Sequence, residues 1–117
     1  MNKIILTGRL TANPELKEIQ KNEKKTKVAV FRLAVDRIQA NTNQKTDFFV
    51  CEAFNSVAEN VYKYIKKGSK ILVEGEMRMD TQTSTNESGG TDYRTFPKVR
   101  VSRIEFLESK KAEENNE

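Results

Sequence analysis

Histidine and tryptophan are missing from this 117-residue chain, and cysteine occurs once, at position 51. Without histidine the chain lacks the commonest general base and the commonest metal ligand. A lone cysteine with no histidine to activate it makes a poor nucleophile. It also cannot close an intramolecular disulfide, which suits a reducing cytoplasm. No apolar run approaches the roughly 20 residues of a membrane span, and strand-like alternation begins directly after Met1 without a signal-peptide pattern. The adjacent glycines Gly89 and Gly90 are followed by neither a helical pattern nor a Lys-Ser pair, so they do not form a phosphate loop. The carboxylates are scattered. Together these absences argue against an enzyme, a metal site and a bound cofactor.

What is present is charge and alternation. Residues 108–117 hold two of the 21 basic and four of the 17 acidic side chains, which leaves the first 107 residues with a net charge of +6. A basic body suits a polyanion, because each neutralised phosphate releases condensed counterions. By length the chain is one domain, expected over 1–107, followed by a short polar tail, 108–117, expected to be disordered.

Period-two alternation marks the strands. Ile4, Leu6, Gly8 and Leu10 share one side of the first strand, and Gly8 suggests a bulge or sharp bend. Asn13-Pro14 is a turn, and Lys21-Asn22-Glu23-Lys24-Lys25 reads as a hairpin tip. A second strand runs from Thr26 to Asp36, with Ala29, Phe31, Leu33 and Val35 on one side and Val28, Val30 and Arg32 on the other. After a polar loop, Arg37 to Lys45, comes Thr46–Phe54. One face of this strand is apolar: Phe49, Cys51 and Ala53. The other carries Phe48, Val50, Glu52 and Phe54, two aromatic rings beside a charge. A core strand needs only one oily face. The second aromatic face is either a stacking platform for nucleobases or packing beneath a loop or another subunit.

The period then changes. Ser56 and Glu59 fit a capping box, while Val57, Val61 and Ile65, with Ala58 and Tyr62 beside them, form a helical stripe. Lys63, Lys66 and Lys67 fall at the expected helix end, and Gly68 is the expected stop. Lys70–Arg78 is a strand with Ile71, Val73, Gly75 and Met77 inward, and Asp80–Asp92 reads as a long flexible hairpin loop. The last strand, Tyr93–Leu107, contains Pro97, which assigns part of it to an edge. Its spacing slips between Val101 and Ile104, as a bulge near Ser102 would require, and brings Ile104 and Phe106 inward. The expected class is all-β with one helix. Three strands, a helix and two further strands give the order of an OB-fold, a five-stranded Greek-key barrel with its helix between strands 3 and 4.

Within that order the chain resembles the bacterial and phage single-stranded DNA-binding proteins. The resemblance rests on Asn2-Lys3-Ile4-Ile5-Leu6-Thr7-Gly8-Arg9-Leu10 with Asn13-Pro14-Glu15-Leu16, on Ala58-Glu59, on Tyr64-Ile65-Lys66-Lys67-Gly68-Ser69, on Val73-Glu74-Gly75, and on Tyr93 with Thr95. It spans roughly residues 2–106 and implies an OB-fold, assembled as a homotetramer, that coats single strands with little sequence preference during replication, recombination or repair. Phe48 and Phe54 fall where the family carries stacking aromatics. Gln39 and Gln82 replace two further aromatics, leaving Tyr93 or Phe96 as substitutes, and Asp80 stands where the family is often basic. Lys3, Lys67 and Arg78 match basic positions, and Arg32 and Arg37 lie on or beside the aromatic face by alternation. Glu52 faces the same groove and would repel phosphate unless a nearby arginine pairs with it. The tail is acidic but lacks the phenylalanine-ended tip by which longer family members recruit replication and repair enzymes, so that mode of recruitment is not expected; replication or recombination proteins are still candidate partners. A short version fits a phage, a mobile element or a secondary bacterial paralogue. The other reading is an OB-fold accessory module that binds a replication protein or RNA; aromatics interleaved with basic residues favour the strand binder.

Overall fold

The alternation of Ile4, Leu6, Gly8 and Leu10 places the first strand's apolar side against a shared interior, and five strands close around it. The computed structural model describes residues 1–38 and 45–108. The elements are β1 (Ile4–Leu10), β2 (Glu15–Lys21), β3 (Lys24–Asp36), β4 (Thr46–Phe54), α1 (Asn55–Tyr64), β5 (Lys70–Thr85) and β6 (Thr91–Phe106). The sheet order is β1-β5-β6-β4-β3-β2, and β1 also pairs with β3 through Arg9↔Ala34 and Leu10↔Leu33. This extra pairing closes β1-β5-β6-β4-β3 into a barrel, with one parallel contact, β4 on β6. The helix follows the Thr46–Phe54 strand, as expected. The expected short segment after Pro14 is itself a strand, β2, which hairpins onto β3 outside the closed ring. Asn22 and Glu23 turn that hairpin with φ of 52° and 66°, the sign that a two-residue hairpin turn of the primed type requires.

Leu33, Cys51, Ala53, Ile71, Val73 and Val99 are all 0% exposed at the centre of the core. Two glycines permit the closure. A Cβ on Gly8 would collide with the Ala34 carbonyl oxygen, and one on Gly75 with that of Arg100. Gly8 therefore serves a close strand crossing rather than a bulge, since the β1–β5 register runs unbroken past it. The expected bulge is at Ser102: Glu74 pairs with Arg103 and Gly75 with Val101, so Ser102 is the extra residue. Its hydroxyl donates to the Glu74 carbonyl at 2.9 Å.

Five expectations are corrected. The capping box does not form: Asn55, at φ 54°, turns the chain into α1, no side chain caps the first turn, and Glu59 instead accepts from Lys27 at 2.7 Å. The helix stops at Tyr64, short of Gly68, because Ile65 turns extended to bury its side chain; Gly68, at φ 87°, then directs its N–H to Leu10 O. The helix itself buries Ala58 and Val61, Ile65 is buried just past its end, and Tyr62 lies outside. The stretch Asp80–Asp92 is mostly paired: β5 runs to Thr85 and β6 starts at Thr91, so only residues 86–90 turn. Threonines on both strands favour extended backbone, and the Asn86 side-chain oxygen accepts from Ser88 N and Gly90 N at 3.0 and 2.8 Å. Phe106, expected inside, is half exposed. The segment 39–44, with Gln39, and the tail beyond 108 lie outside the described residues. Glu108 itself accepts from Arg9 at 2.6 Å and from Lys70 N at 3.2 Å.

Candidate nucleic-acid interface

The outward face of β4 carries Phe48, Val50, Glu52 and Phe54, and pairing with β3 sets Ala34, Arg32, Val30 and Val28 directly opposite them. Phe48 is 53% exposed and Val50 43%, while the inward residues Cys51 and Ala53 are sealed. Phe48 is thus a large apolar ring that the core does not use. The Arg32 guanidinium lies over it, 5.0 Å from the ring centroid, within the range of a cation–π contact. Phe54 is half-buried, and the Arg100 guanidinium covers one face of it at 3.8 Å.

Arg100 was not anticipated from the sequence. The parallel register Cys51↔Val99 and Glu52↔Arg100 brings it beside the aromatic strand. Its signal was present, since Val99 and Val101 point inward and the residue between them must point out. The parallel partner of β6, however, cannot be read from a strand in isolation. Lys98 was missed for the same reason. Its ammonium sits 2.9 Å from Glu52 on β4 and 3.4 Å from Asp80 on β5. The hydrogen bond with Glu52 is the largest cause raising the Lys98 pKa above the ordinary lysine value. The charge facing the groove at Glu52 is therefore matched by a lysine rather than the expected arginine.

The structure divides the anticipated cations. Arg32 joins the aromatic face. Lys3 pairs with Glu74 at 3.1 Å and Arg78 with Glu76 at 2.7 Å, and both line a shallow depression with Arg100, away from Phe48. Arg37 donates twice to Asp47 at 2.9 Å; by alternation Asp47 points to the side opposite Phe48. That contact raises the Arg37 pKa and holds the Asp47 carboxyl below its ordinary value. Lys67 lies in the turn before β5, where its backbone N–H donates to Asn13 at 2.8 Å. Of the substitute aromatics, Phe96 shares the face of Lys98 and Arg100, and Tyr93 points to the other side of the ribbon by alternation.

Comparison with known proteins identifies the chain's family. The profile of the single-strand binding protein family matches residues 1–107. The chain belongs to that family. Similar relatives include Single-stranded DNA-binding protein 1 of Staphylococcus aureus strain MSSA476, 39% identical over 100% of this chain and 72% of the relative. The single-stranded DNA-binding protein of Thermotoga maritima is 39% identical over 96% of this chain and 77% of the relative. That of Onion yellows phytoplasma is 36% identical over 94% and 97%. Membership of the single-strand binding family accounts for the closed barrel and for the single helix after β4.

Proposed function

We propose that this protein binds and protects single-stranded DNA without catalysis and with little sequence preference. The observation that carries this reading is Phe48, a half-exposed ring on a barrel face bordered by Arg32. Bases stack on Phe48, since every base has a flat face and stacking is tolerant of sequence. Phosphates track along Arg32, Arg100, Arg78 and Lys3, with Lys67 and Arg37 as outlying cations. A duplex hides its base faces, so the same surface favours unpaired strands.

Residues 1–107 form the binding unit, followed by a short polar tail. The protein works in the cytoplasm, in replication, recombination or repair, as a homotetramer in which several subunits wrap one strand. Sedimentation equilibrium tests the tetramer: a monomer mass at working concentration would remove it.

The test of the reading is an anisotropy titration with labelled oligo-dT and a matched duplex at two salt concentrations. Strand-selective binding that weakens steeply with salt is expected. Equal affinity for the duplex would overturn it and favour an accessory module with another partner.

A further inference from the structure

Phe96, like Phe48, is a large ring that folding does not use. It is 44% exposed on β6, with Asp80 as its cross-strand partner on β5. By alternation its neighbours on that face of the ribbon are Arg94, Gln82, Arg78 and Lys98, all polar. Among the described residues no cation lies over its ring. Extended backbone alone would be served by a threonine, as at Thr81 and Thr95 beside it.

The position of Phe96 relative to β4 carries the inference. β4 and β6 run parallel, with Cys51 opposite Val99 and Glu52 opposite Arg100. Carried back along both strands, that register sets Val50 level with Lys98 and Phe48 level with Phe96, on the outer face in each case. The pairing itself stops at Cys51↔Val99, and β6 continues with β5 alone. Rings on hydrogen-bonded neighbours stand roughly 4.8 Å apart, too close to admit a base about 3.4 Å thick. Where the pairing has ended, that limit lifts. The Lys98–Glu52 bridge, 2.9 Å, spans β6 and β4 just above and closes that end of the gap. Arg32 comes from β3, which lies on the side of β4 away from β6, so its contact with Phe48 leaves the side toward Phe96 open.

We infer that Phe48 and Phe96 are the two walls of a slot that takes one unpaired base of a single strand, stacked on both rings. This rests on the proposed single-strand function and deepens it. A base held between two rings loses water from both faces, where a single platform covers only one. Arg94 and Lys98 flank Phe96 on its own face and supply the attraction for the adjoining phosphates. A paired base cannot enter, because its neighbours in the duplex already cover both its faces.

The test compares F48A, F96A, F96L, F96Y and F48A/F96A with the wild type, using labelled oligo-dT across a series of salt concentrations and thermal melting as the control for fold. F96A and F96L are expected to bind several-fold more weakly with an unchanged salt slope, because no charge is removed. F96Y keeps the flat face and is expected to bind as the wild type does. The double variant is expected to lose little more than F48A alone, since one base needs both walls. The chain has no tryptophan, so F96W adds a single reporter, whose emission is expected to be quenched as oligo-dT saturates the protein. F96L binding as tightly as the wild type overturns the inference. So do losses in F48A and F96A that multiply fully in the double variant, and F96W emission that a saturating strand leaves unchanged. If F96A melts well below the wild type, the contrast between F96L and F96Y and the F96W emission decide the matter. A loss in F48A with none in F96L removes the slot and leaves the proposed function standing. A wild type that fails to prefer single strands removes that function before these variants are compared.

Discussion

Lys98 reaches from β6 to Glu52 on β4, closing at 2.9 Å on the carboxylate that faces the aromatic surface. An acid here would otherwise repel a phosphate chain. The side chains are 28% and 21% exposed, so solvent screens this pair less than the others on the barrel.

Glu52→Gln is expected to strengthen binding to oligo-dT several-fold at low salt and to steepen the salt dependence, because it removes a negative charge and frees Lys98 for phosphate. Anisotropy titrations at two salt concentrations check this. Weaker binding would show that Glu52 is needed to hold Lys98 in place.

Gly8→Ala tests the barrel closure. The new methyl would meet the Ala34 carbonyl oxygen at the β1–β3 crossing, and backbone cannot rotate aside as a side chain can. A loss of about 1–3 kcal/mol, or more, is expected in urea unfolding. An unchanged midpoint would mean the strands separate at little cost.

Much of this was legible in the sequence, and the failures share a cause. Alternation in β1, β3 and β4 identified the inward faces, and the slip between Val101 and Ile104 located the bulge at Ser102, because burial imposes its period on the residues themselves. Arg100 and Lys98 were missed because their significance comes from the parallel β4–β6 register, a contact between residues almost 50 apart in the chain. The capping box failed because Glu59 has a better partner in Lys27, a residue on a distant strand. The ribbon at Asp80–Asp92 reads as a loop in the sequence because its polar residues carry no hydrophobic period; pairing along β5 and β6 orders it without a core.

Cys51 is fully buried, and burial pushes its thiol pKa up to about 12. Only the thiolate reacts. Native protein is expected to be inert to a disulfide reagent at neutral pH over a period in which urea-unfolded protein reacts stoichiometrically. Rapid labelling of the native state would contradict this packing.

The pH dependence follows from the ion pairs. The hydrogen bonds from Arg37 and Lys27 hold the Asp47 and Glu59 carboxyls below their ordinary values. Their contribution to stability is present above the unfolded-state values and is lost as pH falls through the lowered ones. Lys98 is raised, so its contribution is complete below the ordinary lysine value and is lost as pH rises through the folded one. With no histidine, melting temperature is expected to stay flat between roughly pH 5.5 and 7 and to decline on acidification below about pH 4. Most of these pairs are exposed, so the decline is shallow at first. A step near pH 6 would contradict the assignment.

The most direct test of the central claim is the affinity of Phe48→Ala for oligo-dT beside the wild type at one salt concentration, with melting temperature measured on both. Phe48 is 53% exposed, so the variant is expected to fold and melt almost as the wild type does. Losing a stacking platform should weaken binding by about 1–3 kcal/mol, roughly five- to 150-fold. Unchanged affinity in a folded variant would show that bases do not stack there, and the half-exposed ring would then need a different partner.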